Sequence, residues 1–175
     1  MLTARILIAS TRAARGEYAD RTGPVLRDWL ASRGFDVPAP IVVADGHEVG
    51  RALRRALGEE PDVLITSGGT GITPTDSTPE QTAPHLTCEL PGIIDAIRRR
   101  GEAAAPSAIL SRGVAGMAGR TFVVNLPGST GGVRDGIAVL DPVLDHVLDQ
   151  RDGGGHAADP HPTPDTPHDP QEPTA

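Results

Sequence analysis

The sequence contains no lysine: all sixteen of its basic residues are arginine. This excludes a Walker A phosphate loop, whose glycines are followed by lysine, and any Schiff-base chemistry. Thiols are almost as scarce. With Cys88 as its one cysteine the chain can form no intrachain disulfide and no cysteine-based zinc site. Tyr18, Trp29, Phe35 and Phe122 are the only aromatics, so the core must be built from Val, Leu, Ile and Ala. No apolar run approaches the length of a membrane span, and the run within residues 1–10 is too short for a secretory signal. A cytoplasmic protein without membrane contact is expected. Net charge is −7, of which residues 151–175 supply −4 and residues 1–150 the remaining −3. That balance argues against a nucleic-acid partner.

A chain of this length predicts one domain, able to bury about 70% of its unfolded surface. Residues 5–10 read as a first buried strand and residues 41–43 as a second. Between them, residues 20–33 form a helix with Val25, Leu26, Trp29 and Leu30 on its apolar face. Pro24 limits that helix upstream and Gly34 ends it. Asp45-Gly46-His47-Glu48 matches a capping box with Asp45 as the cap. The helix it opens carries Val49, Ala52, Leu53, Ala56 and Leu57 in one stripe. Further on, Pro91 opens a helix with Ile93, Ile94 and Ile97 inward and Arg98, Arg99 and Arg100 in its last turn. Those arginines read as a solvated face, with phosphate contact as the rival. Residues 107–112 are expected to be extended, and residues 121–124 form a fourth strand. The last helix shows Val133, Ile137, Leu140, Leu144 and Val147 on one face, kinked or split at Pro142. Strand and helix alternate throughout, predicting a three-layer α/β sandwich with a mostly parallel central sheet. Residues 151–175 hold six of the seventeen prolines and no large apolar side chain, so a disordered acidic, Pro-rich tail is expected there. His156, His161 and His168 in that tail fit a solvated segment better than a metal site.

The most informative stretch is residues 63–80. An apolar β-branched strand, Val63-Leu64-Ile65, runs into a turn with Gly68, Gly69 and Gly71. These glycines permit positive φ and close approach of the backbone to a ligand. Thr78 suits a helix N-cap and Pro79 the first helical position. Amides of such a loop beside a helix N-terminus make an anion site. Asp76 adds a carboxylate where a phosphate-bound Mg²⁺ would need one. A second loop, Asn125-Leu126-Pro127-Gly128-Ser129, also follows a strand, so one crevice at the carboxyl ends of the strands can hold both. For Asp45, helix capping competes with metal binding. No nucleophilic constellation is present. These parts suit phosphoryl or nucleotidyl transfer, in which the protein positions anions and a metal.

Six motifs occur in order over residues 1 to about 150. They are Asp20-x-x-Gly23-Pro24, Val43-Ala44-Asp45, Gly68-Gly69-Thr70-Gly71 with Asp76, Thr78, Pro79 and Glu80, then Pro91-Gly92, Ala108-Ile109-Leu110-Ser111-Arg112, and Asn125 to Ser129. Together they resemble the MogA/MoaB family of molybdenum cofactor biosynthesis proteins. The resemblance implies a molybdopterin-binding-like fold and transfer of AMP from Mg-ATP to the phosphate of molybdopterin. It implies catalytic and Mg²⁺-binding roles for Asp45 and Asp76. Molybdopterin or nucleotide phosphates would meet Ser67, Gly68, Gly69, Thr70, Gly71 and Thr78 on the first loop. Ser111, Asn125, Pro127, Gly128 and Ser129 would complete the site. A homotrimer and contact with a molybdenum insertase are further implications. The alternative within the family is a non-catalytic molybdopterin-binding or delivery protein of MoaB type. One position departs from the family pattern: Thr130 stands where a proline is usual.

Overall fold

The structure, a computed structural model, describes residues 1–154. Its sheet has six strands: β1 (Ala4–Ala9), β2 (Ile41–Val43), β3 (Val63–Ser67), β4 (Cys88–Glu89), β5 (Ala115–Ala118) and β6 (Thr121–Leu126). They lie in the order β2-β1-β3-β6-β5-β4. The first four in that order run parallel, whereas β5 is antiparallel to β6 and β4 antiparallel to β5. The helices are α1 (Thr11–Ala14), α2 (Gly23–Ser32), α3 (His47–Gly58), α4 (Thr78–Thr82), α5 (Pro91–Glu102), α6 (Thr130–Leu140) and α7 (Leu144–Arg151).

The alternation of side chains along the strands builds the layers. Ile6, Ile8, Ile65, Phe122 and Val124 face one side and pack with Leu26, Leu30, Ile94, Ile97, Val133 and Leu140 of α2, α5 and α6. Leu7, Leu64 and Val123 face the other side and pack against the Val49–Ala52–Leu53–Ala56 stripe of α3. The expected three-layer α/β sandwich with a mostly parallel sheet is therefore present.

Three local expectations are corrected. Residues 106–110 form a short 3₁₀ turn rather than an extended segment, with Pro106 as its opening residue. The predicted fourth strand is the sixth, because β4 and β5 intervene. Neither has a β-branched run: β5 reads Ala-Gly-Met-Ala and β4 is two residues long. A Cβ at Gly116 would lie 2.2 Å from the Cys88 carbonyl oxygen, so the edge pairing rests on a residue that propensity counts against a strand. Pro142 does split the last helix, into α6 and α7.

The third correction sets the end of the folded body. The expected boundary at residue 150 cuts α7, whose last residue, Arg151, has only 6% of its side chain exposed. Arg151 Nη1 donates to Asp62 at 2.7 Å, and its Nε and Nη2 donate to Asp152. The Arg151 guanidinium holds the Asp152 carboxyl down at about 2. Burial alone would raise Asp62, but the Thr3 N–H and Arg151 outweigh it and leave that carboxyl below its usual value. Both carboxylates thus stabilise the fold above the unfolded-state value near 4, and lose that contribution as the pH falls toward 2. Arg151→Met is expected to cost about 1–2 kcal/mol at neutral pH, a melting shift of about 2–6 °C. Thermal melts of both proteins from pH 7 down to pH 2.5 should show the difference shrinking below about pH 4; a constant difference would exclude this linkage. The disorder expected of residues 155–175 lies outside the described residues.

Candidate functional site

The parallel ladder brings the carboxyl ends of β2, β1, β3 and β6 to one edge of the sheet, and the loops that follow them meet there. The register is tight: Ser67 at the end of β3 stands opposite Leu126 at the end of β6. Gly68 N donates to Leu126 O at 3.1 Å and Ser67 Oγ donates to Pro127 O at 3.0 Å. Both glycine loops therefore leave the sheet side by side, as their positions after strands implied.

The first loop turns at Gly68 and Gly69, with φ of +97° and +63°. A Cβ at Gly68 would meet the Ala9 carbonyl oxygen at 2.2 Å, so β1 passes directly against the turn. Gly71 is different from expectation. Its φ is not positive; a Cβ there would lie 2.8 Å from Asp76 Oδ2, so the backbone passes close beneath that side chain. The carboxylate of Asp76 thus folds back over Gly71, and Thr73 N donates to the same oxygen at 3.1 Å.

The carbonyls of this loop are held one after another. Thr78 N donates to Gly69 O at 3.1 Å and Arg112 N to Thr70 O at 2.9 Å. Arg112 Nε donates to Gly71 O at 2.8 Å. In a trans peptide the C=O of one residue and the N–H of the next point in opposite directions. Fixing these three carbonyls therefore fixes the Thr70, Gly71 and Ile72 amides. Among the described residues those amides donate to no protein acceptor. They form a row of preset donors suited to anionic oxygens.

Thr78 is not the helix N-cap. Ser77 holds that position without a side-chain bond, and Thr78 begins the helix with Pro79 behind it. The hydroxyls of Ser77 and Thr78 are buried and have no hydrogen-bond partner among the described residues, and a Cβ at Gly69 would lie 2.3 Å from Thr78 Oγ1. These two hydroxyls lie directly behind the loop whose amides are preset.

Asp45 is corrected in the same way. Gly46 is the N-cap of α3 and makes no side-chain cap bond. Asp45 reaches instead across to the loop after β1, where Oδ2 accepts from Thr11 N at 2.9 Å and Thr11 Oγ1 at 2.8 Å. The capping-box spacing was thus a coincidence of composition. β2 and β3 flank β1, which places the strand ends that lead to Asp45 and Asp76 about 10 Å apart. Each carboxylate engages protein donors through Oδ2 and leaves Oδ1 without one among the described residues. That donor set fits a hard cation that takes one or two protein oxygens and completes its shell with phosphate and water.

Two cavities open on the loops, and Gly128 and Ser129 line both. The first, about 370 Å³, has an apolar wall from Ile94, Ile97, Ala104, Ala108 and Leu110, and takes Thr70, Gly71, Ser111, Asn125 and Pro127 from the predicted set. The second, about 310 Å³, is lined by Ser10, Tyr18, Asp20, Arg21, Thr22, Ser67 and Thr130 among others. α6 begins between them with Ser129 as its N-cap, Oγ accepting from Gly132 N at 3.0 Å.

Asn125 lines the first cavity, but its side chain is an internal tie. At 1% exposure, Nδ2 donates to Thr66 Oγ1 and Thr82 Oγ1, and Oδ1 accepts from Val114 N. The three C-terminal arginines of α5 divide: Arg98 Nε donates to Ser111 O at 2.6 Å in the cavity wall, Arg100 pairs with Asp135, and Arg99 is exposed. Ser111 Oγ in turn donates to Thr70 Oγ1 at 3.2 Å. Sequence reasoning missed Arg98 and the apolar wall of α5. The spacing of Ile94 and Ile97 marks them as core, which they also are.

Residues 5–146 match the family model described as "Probable molybdopterin binding domain". The chain is 37% identical over 153 residues to a molybdenum cofactor biosynthesis bifunctional protein of Chlorobaculum tepidum, covering 87% of this chain and 49% of that one. It thus spans about half the length of that relative. It is 33% identical to a molybdopterin adenylyltransferase of Pyrococcus furiosus, over 82% of this chain and 87% of the relative. Among solved structures it is similar to the molybdopterin biosynthesis Mog protein of Mycobacterium ulcerans, with 56% identity, a TM-score of 0.83, and coverage of 86% of this chain and 99% of that one.

Proposed function

We propose an enzymatic function on this premise: the chain belongs to the family of the probable molybdopterin binding domain. It acts in molybdenum cofactor biosynthesis as a molybdopterin adenylyltransferase, moving AMP from ATP to the terminal phosphate of molybdopterin. The observation that carries the reading is the row of unpaired amides at Thr70, Gly71 and Ile72, with the Asp76 carboxylate beside it. A phosphate oxygen of molybdopterin attacks the α-phosphorus of ATP, and pyrophosphate leaves. The residues do no covalent work. The loop amides hold phosphate oxygens, and the apolar wall of the first cavity suits a fused heterocycle. The second cavity, with Arg21 and several hydroxyls, suits the nucleotide. Neither Asp45 nor Asp76 lines a wall of these two cavities; Asp45, tied to Thr11 beside Ser10 of the second cavity, and the glycine-loop Asp76 would hold Mg²⁺, which would neutralise charge on the reacting phosphates. The two substrates would meet at Gly128 and Ser129, which both cavities share.

Purified protein given molybdopterin, ATP and Mg²⁺ should form adenylyl-molybdopterin and release pyrophosphate, and should do neither when any one is left out. Tight molybdopterin binding without AMP transfer would replace this reading with that of a delivery protein.

We also propose a homotrimer. Ile72, Ile109 and Leu110 are 70%, 55% and 50% exposed, on two segments tied together at Thr70. Apolar side chains so placed suit an interface. Light scattering should give three times the chain mass; a monomer at micromolar concentration would refute it. No helix among the described residues is long and apolar enough to cross a membrane.

A further inference from the structure

We propose that Arg112 is the positioning residue of the glycine loop: it sets Asp76 and the loop amides in place without touching either substrate. The proposal rests on the adenylyltransferase reading above. Arg112 follows the 3₁₀ turn of residues 106–110, and the acceptors of its side chain lie 32 to 41 residues earlier in the chain. Its Nε donates to Gly71 O and its Nη2 to Asp76 O, both at 2.8 Å, and its Nη1 pairs with Glu80. Its own N–H holds Thr70 O. Gly71 and Asp76 are the two ends of the turn, so a single guanidinium closes it.

The choice of acceptors matters chemically. Arg112 bonds the carbonyl of Asp76, not its carboxylate, so it fixes that residue and leaves its negative charge available to a cation. Glu80 pairs with the guanidinium itself, which places the balancing charge at α4 rather than in the loop. A planar fork with five N–H donors can serve these acceptors together. The lysine ammonium is a compact point charge on a flexible stem and cannot span both ends of the turn. The side chain therefore acts through geometry, and charge alone does not replace it.

The test uses the full chain. Arg112→Ala should lower kcat for adenylyl transfer by about 10- to 100-fold, the scale of a misplacement of about 1 Å, with a smaller change in KM for ATP. Arg112→Lys should remain as slow as Arg112→Ala, and guanidinium ion at millimolar concentration should restore part of the Arg112→Ala rate. Arg99→Ala, on the exposed face of α5, should match the wild type. Amide hydrogen exchange over residues 70–77 should rise in Arg112→Ala and Arg112→Lys while the sheet stays protected. A kcat within twofold of wild type in Arg112→Ala, or full activity in Arg112→Lys, overturns the proposal. If the wild type transfers no AMP, the reaction assignment fails, and exchange alone decides: unchanged protection of residues 70–77 would overturn the clamp. Should Arg112→Ala not fold, Arg112→Lys answers both questions.

Discussion

Asp76→Asn is expected to lower Mg-ATP-dependent adenylyl transfer by on the order of a hundredfold or more, the scale on which loss of one preorganised electrostatic partner is felt. The substitution is conservative for the fold. Asparagine keeps the volume over Gly71, and its side-chain oxygen can still accept from Thr73 N, as Oδ2 of Asp76 does. What disappears is the charge and the second anionic oxygen. The amides of the loop can bind phosphate, but they repel a cation, so no other group of this turn can take over. Loss of a carboxylate near a short helix start changes stability by only about 0.3–1 kcal/mol. Molybdopterin binding should survive better than turnover. The measurement is AMP transfer by the variant beside its thermal melt. Turnover close to wild type with an unchanged melt would remove Asp76 from the mechanism and leave the cation to Asp45.

Gly68→Ala is expected to have the largest effect on stability among single-methyl additions to the site. At φ +97° an L side chain is strained, and the new Cβ would stand 2.2 Å from the carbonyl oxygen of Ala9. That oxygen belongs to β1, which is locked between β2 and β3 by ladders through Ala9 and Ile8. Neither backbone can yield without opening the sheet. Backbone strain and overpacking together should cost about 2–5 kcal/mol, lowering the melting temperature by roughly 5–20 °C. Gly34→Ala supplies the control. Its φ is +84°, yet nothing lies within 4 Å of the added carbon. It should cost only the strain, about 1–2 kcal/mol. Equal losses at the two sites would show that the close approach of β1 has no energetic weight.

Much of this was legible before the structure. The apolar alternation of β1, β3 and β6 and the clean stripe of α3 are patterns with one physical solution each. The glycine loop followed by a lone aspartate pointed to an anion-and-cation site, and the fold brings the Asp76 carboxylate back over Gly71 of that loop. The errors have causes. Asp45 sits where a capping box would put it, and only the tertiary approach of Thr11 shows that its carboxylate is engaged elsewhere. β4 and β5 form because Gly116 lets two backbones touch, a property of the pair and not of either segment. Asn125 stands in the second loop's motif and lines the first cavity, but its side chain also ties Thr66, Thr82 and Val114 together, a role the motif does not reveal. Arg112 was visible as part of a motif, but nothing local reveals that its long side chain bridges two ends of a turn so far upstream.

The pairing of β3 with β6 joins Val63 to Phe122 and Ser67 to Leu126, residues 59 apart in the chain. Contacts this distant form late, because the intervening chain must lose its freedom before the strands reward it. Before β6 docks, neither shared cavity has its second wall, and Gly68 N and Ser67 Oγ lack their acceptors on the second loop. The binding site is thus complete only after this long-range step of folding, and nucleotide would report on that step. In a refolding experiment, helix signals should recover first and capture of ATP should lag behind them by the time β6 takes to find β3.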